Sequence, residues 1–309
     1  MLIPEQETQF AAMTFLLDDG SMFLAFRGTD NTLVGWKEDF NMTFQQTIPA
    51  QRLALQYTRD VALEYFRPMY LGGHSKGGNL AVWAAVHAAD AVRRRIVAVY
   101  SNDGPGLPAE VVASAPYQLM ADRITTLIPE SSVVGMLLEH QENAKIIKSR
   151  TVSLLQHDPF TWVVDNGAFL PLEQLTMDAR HVDRTLSTWL LKKNPDERER
   201  IVDALFGILE TTDIQNFHQL RTDWQKTLPA VARQVRHLDA DTRELLFRTL
   251  GELALISVKA LPETIKKENC AITSLRTPQI RPVEIVVPER DKPGTTAKAC
   301  PRPTAKACQ

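Results

Sequence analysis

The chain has 309 residues, 44% of them hydrophobic and 23% charged, with a formal net charge of −2 and a sequence pI of ≈ 6.4. That length holds one large domain or two smaller ones, and the balanced charge excludes the basic footprint of a nucleic-acid or anionic-membrane binder. No run of about 18 apolar residues is present to span a bilayer, and the start "MLIPEQETQF" lacks the regions of a secretory signal. The three cysteines, Cys270, Cys300 and Cys308, all fall late in the chain. They form neither a disulfide framework nor a zinc spacing and suit a reducing, cytoplasmic setting.

Residues 13–28, "MTFLLDDGSMFLAFRG", read as two apolar strands about the turn residues Asp18, Asp19 and Gly20. Within 50–66, Leu53, Tyr57, Val61 and Tyr65 recur every fourth position, one face of an amphipathic helix. Met69-Tyr70-Leu71 is a short apolar strand leading into "LGGHSKGGNL" (71–80), after which "NLAVWAAVHAADAV" continues as a helix with Leu80, Trp83 and Val86 in register. "RIVAVYSNDGPG" (95–106) is a buried strand stopped by turn residues. Residues 123–129 and 144–154 are further strand candidates. Strands alternating with helices predict an α/β fold, a mostly parallel sheet with helices on its faces, over a core at 1–180.

Beyond about residue 180 the pattern turns helical, with helix starts at Asn194-Pro195 and Asp239-Ala240-Asp241, defining a C-terminal helical region at 181–270. Residues 271–309 are rich in Pro, Lys and Arg and repeat TAKAC at 296–300 and 304–308. This composition predicts a low-complexity, disordered tail.

Four of the chain's 14 glycines fall in residues 71–80. A phosphate loop is excluded, because Gly78-Asn79 stand where its Lys-Ser/Thr would be, and no G-x-G-x-x-G is present. Gly73-His74-Ser75-Lys76-Gly77 instead fills G-x-S-x-G between a strand and a helix, the context of a nucleophile elbow. A plain helix cap at Ser75 leaves the flanking glycines unexplained. An elbow serine needs a base, an orienting acid and an oxyanion hole. The main-chain N–H of Lys76 supplies one hole donor, and "FRGTD" (26–30), ending a strand, offers Thr29 as the other, with Gly28 freeing the backbone.

"FRGTDNTLVGWKEDFNM" followed by "GGHSKGGNLAVWAA" resembles the class 3 lipase arrangement. With "SNDGPG", "IPESSVVGMLLEH" and "QHDPFTW" it is still more similar to the Mbeg-like branch of bacterial α/β-hydrolases, over about residues 6–260. The resemblance implies the α/β-hydrolase fold and a lipase- or esterase-like serine hydrolase that cleaves carboxylic esters through an acyl-enzyme. It implies no metal or organic cofactor, and a small-molecule or lipid ester as substrate. Members of that branch carry a further N-terminal stretch, so the core is expected to lack its N-terminal part. The rival reading is an inactive pseudo-hydrolase that keeps the elbow as scaffold for a binding partner.

Of seven histidines, His157 in "LLQHDPFTW" follows a late strand, the place of the base in this chain order, and is preferred to His140. His74 reads as a packing or hydrogen-bonding residue of the elbow, and His87, His181, His218 and His237 as surface or structural. For the acid, Asp103 follows the strand after the elbow, and Glu130, one strand later, is the alternate. Lys76 either pairs with Glu38 or Asp39 or draws an anionic group of the substrate. Arg27 and Asp39 read as a structural ion pair. Trp36 and Trp162 read as core residues or as the wall of an acyl pocket.

Overall fold

A computed structural model of the chain describes residues 2–3, 7–30, 32–132, 134–140, 143–151, 153–176, 193–210, 231–249 and 251–252. In chain order its strands are β1 (Leu2–Ile3), β2 (Thr8–Gln9), β3 (Ala12–Leu16), β4 (Met22–Phe26), β5 (Met69–His74), β6 (Ile96–Asn102), β7 (Ile124–Pro129), β8 (Asn143–Ile147), β9 (Val164–Asp165), β10 (Ala168–Phe169) and β11 (Pro171–Leu172). Three longer helices lie among them: α1 (Leu33–Asn41), α2 (Pro49–Glu64) and α3 (Lys76–His87). Gly20, at a φ of +82°, turns β3 back onto β4 as the Asp-Asp-Gly signal predicts.

One seven-stranded sheet runs in the order β11-β8-β7-β6-β5-β4-β3. The five strands β4 to β8 are parallel, and β3 and β11 close the two edges antiparallel. The fold class is therefore α/β, with a mostly parallel central sheet. The apolar strand residues Leu24, Phe26, Met69, Leu71 and Val99 pack against α2 and α3 in one core. Every residue of α3 from Lys76 to Val86 is buried, which is the behaviour expected of a helix that is apolar nearly all round. Its alanines (81, 84, 85) let it lie close to the sheet. This packing fixes the start of α3 above the end of β5, where the glycine cluster lies.

Two elements differ from the expectation. Helix α1 forms in "LVGWKEDFN", capped by Thr32 Oγ1, which accepts Gly35 N–H at 3.1 Å. Its inward face carries Gly35, Glu38 and Asn41 beside Leu33, so the apolar period that marks a helix is absent there. Strand β8 ends at Ile147 instead of reaching 154, and residues 153–157 form a 3₁₀ turn.

In the C-terminal region, Pro195–Glu210 is helical and begins with a reciprocal cap between Asn194 and Glu197. It packs Val202, Phe206 and Leu209 on Leu33 and Trp36 of α1. Residues 231–237 and 240–249 are also helical, with Asp239 accepting Thr242 N–H at 2.8 Å. The boundary near 180, residues 181–192, 211–230, 250 and 253–270 of the helical region, and the 271–309 tail lie outside the described residues. Among the described residues no helix is long and apolar enough to cross a membrane.

Candidate active site

β5 and β6 are parallel neighbours, with His74 level with Asn102. The residues that follow, Ser75 and Asp103, therefore leave the same edge of the sheet side by side. This is the carboxyl end of the strands, where open α/β sheets place their ligand sites. Both adopt left-handed backbone, with φ of 57° at Ser75 and 52° at Asp103. Such angles are unfavourable for residues with a Cβ and persist only where surrounding structure imposes them.

The glycines explain how that turn is possible. A Cβ at Gly73 would lie 2.5 Å from Phe26 O and equally close to Gly77 O, and a Cβ at Gly77 would meet the same Phe26 carbonyl. The flanking glycines thus let β4, β5 and α3 cross without side chains between them. Gly77→Ala should cost about 1–3 kcal/mol as an overpacked contact against rigid main chain. A urea denaturation curve at the wild-type midpoint would show that the crossing tolerates a methyl group after all.

The 3₁₀ turn at residues 153–157 brings His157 over this edge. Its Nε2 lies 2.9 Å from Ser75 Oγ and its Nδ1 lies 2.8 Å from Asp103 Oδ2. Asp103 is fully buried, and its other oxygen accepts Ser132 Oγ–H at 2.5 Å. Ser132 Oγ is in turn held by Gly135 N–H at 3.0 Å. A carboxylate fixed on both oxygens imposes one tautomer on the ring: Nδ1–H toward Asp103, leaving Nε2 as an acceptor for the Ser75 proton. Glu130 is not at the ring; its main chain bonds Ile147 and Thr176. His140 stands next to Glu139, whose main chain pairs with Leu107.

His74 packs its ring on His157, centroids 4.6 Å apart, and donates Nε2–H to His157 O at 2.6 Å. Burial holds the His74 imidazole below its ordinary range, with the His157 charge as a second, weaker cause. A neutral His74 avoids stacking two cations when His157 takes a proton. His87 stacks on Trp83, whereas His181 and His218 lie outside the described residues.

The loop carrying Thr29 passes close under the elbow, since a Cβ at Gly28 would lie 2.6 Å from His74 O. The Thr29 hydroxyl donates to Asp39 Oδ2. Asp39 also lies near Lys76, whose Nζ is 3.8 Å from its Oδ1, so its partners are Thr29 and Lys76 rather than Arg27. Lys76 is fully buried: Nζ donates to Glu38 Oε2 at 2.8 Å and to Gln9 O at 3.0 Å. An ammonium with no exposed surface cannot draw an anionic substrate, and that alternative falls. Trp162 is a core residue that donates Nε1–H to Gln156 O, and Trp36 packs beneath the Pro195–Glu210 helix.

Two polar residues of the site, Asn79 and Ser132, carry no signal in the sequence, and Glu38 proves to be the partner of Lys76 that the sequence offered as one alternative. Asn79 donates Nδ2–H to Gly106 O at 2.7 Å and accepts Gln51 Nε2–H at 2.9 Å, tying the Asp103 loop to α3 and α2. Ser132 orients Asp103, and Glu38 receives Gln9 N–H at 3.0 Å and Ala50 N–H at 2.9 Å besides Lys76. An open cleft of about 480 Å³ lies beside His157, walled by Thr151, Leu155, Pro159 and Thr161. On the same loop Leu155 and Phe160 are 68% and 91% exposed. A somewhat larger cavity, between Arg52 and Val92, contains none of these residues and is separate from the relay.

No curated protein matches the chain. The Mbeg1-like family model matches residues 2–207, two thirds of the length, and the chain belongs to that family.

Proposed function

We propose that the protein is a serine hydrolase of carboxylic esters, and one observation carries this: the continuous Ser75–His157–Asp103 relay on a strained serine. In this reading Ser75 Oγ attacks the ester carbonyl while its proton passes to His157 Nε2. Asp103 stabilises the imidazolium through Nδ1–H. The main-chain N–H groups of Lys76 and Thr29 receive the developing oxyanion, the role for which fixed donors are worth most. The tetrahedral intermediate collapses, His157 protonates the leaving alkoxide, and an acyl group remains on Ser75. Water, deprotonated by the same imidazole, then releases the acid and restores the serine. The protein's own side chains supply every proton transfer in this sequence.

The cleft beside His157 exposes mostly apolar surface, with Leu155 and Pro159 in its wall, and this favours an ester with a hydrocarbon acyl group. The α/β-hydrolase and lipase-like assignment is part of this proposal and rests on the elbow, the strand order and the relay together.

A fluorophosphonate probe tests the reading directly, because it bonds covalently only to an activated serine. The intact chain should take up one equivalent at Ser75, and Ser75→Ala should take up none. An unlabelled wild-type protein, or equal labelling of the variant, would leave the scaffold reading in possession.

A further inference from the structure

We propose that Lys76 is a positioning residue for both halves of the oxyanion hole: its main-chain N–H is one donor, and its ammonium holds the Asp39 carboxylate that accepts the hydroxyl of Thr29, the other. The inference rests on the hydrolase reading of Ser75.

The geometry runs through three residues. Glu38 is fixed from two sides, by Gln9 N–H and Ala50 N–H. It holds the Lys76 ammonium at 2.8 Å, and the Gln9 carbonyl holds it at 3.0 Å. The remaining direction of that ammonium faces Asp39 Oδ1 at 3.8 Å, a buried oxygen with no hydrogen bond of its own. The other oxygen, Oδ2, accepts the Thr29 hydroxyl. One side chain therefore links the residue after the nucleophile to the loop that must stand opposite it. A buried ion pair with no such task is often replaceable by apolar residues at no loss. Here its position, immediately after Ser75, is the reason for it.

Charge supports the same link. Burial pushes Asp39 up to about 6; Lys76 is the main opposing influence, followed by the Thr29 hydroxyl, while Glu38 adds to the rise and His157 opposes it weakly. Protonation of Asp39 removes the anionic acceptor from Thr29 and a counter-charge from Lys76. The hole is then held only above that pH, and removing the ammonium raises the threshold further.

The test is the pH dependence of fluorophosphonate labelling of the full-length chain. Wild type should show an acid limb to which the ionisation of Asp39 contributes. In Lys76→Gln the Asp39 ionisation should move up by about one pH unit, lowering the rate about twofold at pH 7 and roughly tenfold at pH 5, and recovering by pH 9. Glu38→Gln combined with Lys76→Met removes both buried charges together, sparing the fold a lone ion, and should move the limb in the same direction. Asp39→Asn should label more slowly at every pH and lose the Asp39 contribution to the limb, and adding Lys76→Gln to it should shift nothing. Folded Lys76 variants that keep the wild-type limb, slowed uniformly or not at all, would overturn the proposal. So would coincident limbs for wild type and Asp39→Asn, a comparison that needs no change at Lys76. A wild-type chain that labels at no pH instead removes the Ser75 reading itself.

Discussion

Asp103→Asn should slow the acylation of Ser75 by about 10⁴-fold and leave the urea midpoint nearly unchanged. The substitution keeps the side-chain volume and the oxygen that accepts Ser132 Oγ–H. What changes is the group facing His157, since an amide N–H now points at Nδ1 where a carboxylate oxygen stood. The ring must turn to its other tautomer, with Nε2 protonated and unable to take the Ser75 proton. Loss of the packing alone predicts the opposite pattern, a lower midpoint with the residual rate intact. Glu130→Gln is the matched comparison and should keep wild-type acylation, because that residue sits one strand further along the sheet. Burst kinetics with a p-nitrophenyl ester separate the two; a large loss in Glu130→Gln with little in Asp103→Asn would reassign the acid.

Glu38→Ala is expected to be the most destabilising single change at the site, by about 3–5 kcal/mol. It strips the acceptor from Lys76 Nζ and from two buried main-chain N–H groups, those of Gln9 and Ala50. The ammonium is then left with a carbonyl and the more distant Asp39 carboxylate. An ion stranded in the interior costs far more than the pair gained by forming. The exposed pair between Arg59 and Asp60 offers the contrast: both side chains are more than half in solvent, and breaking it should change stability by under about 1 kcal/mol. Chemical denaturation of the two variants settles the comparison, and a Glu38→Ala loss as small as that of Asp60→Ala would mean that water reaches Lys76.

The relay residues could be read from the sequence because each sits at the end of an element whose pattern is plain. Ser75 lies between an apolar strand and a continuous helix, Asp103 ends a β-branched run, and His157 follows the late strand in the required order. Most of what surrounds them could not be read. Ser132 reaches Asp103 across 29 positions and Asn79 reaches Gly106 across 27. Nothing local distinguishes such residues from solvated ones. Lys76 is legible in part: its pairing with Glu38 or Asp39 is one of two readings, and nothing local decides between that and an exposed charge until α1 is seen to cover it. Helix α1 itself escapes the apolar pattern because the residue it turns inward toward Lys76 is the glutamate that binds it. A buried ion pair hides both partners from any reading that equates inside with apolar.

Ser75 and Asp103 stand among five described non-glycine residues, with Glu7, Leu138 and Asn166, whose left-handed backbone opposes the stability of the chain. Non-glycine residues at such angles each cost on the order of 1–3 kcal/mol, and glycine would remove the strain at either position. A polypeptide retained only for its shape gains by that exchange, since drift toward glycine makes it more stable and loses nothing. A polypeptide retained for what its serine does cannot make the exchange, and it must draw the difference from elsewhere in the fold. The glycine-rich stretch is thus divided in purpose: its glycines relieve strain at the crossing of strand and helix, and the serine between them keeps it.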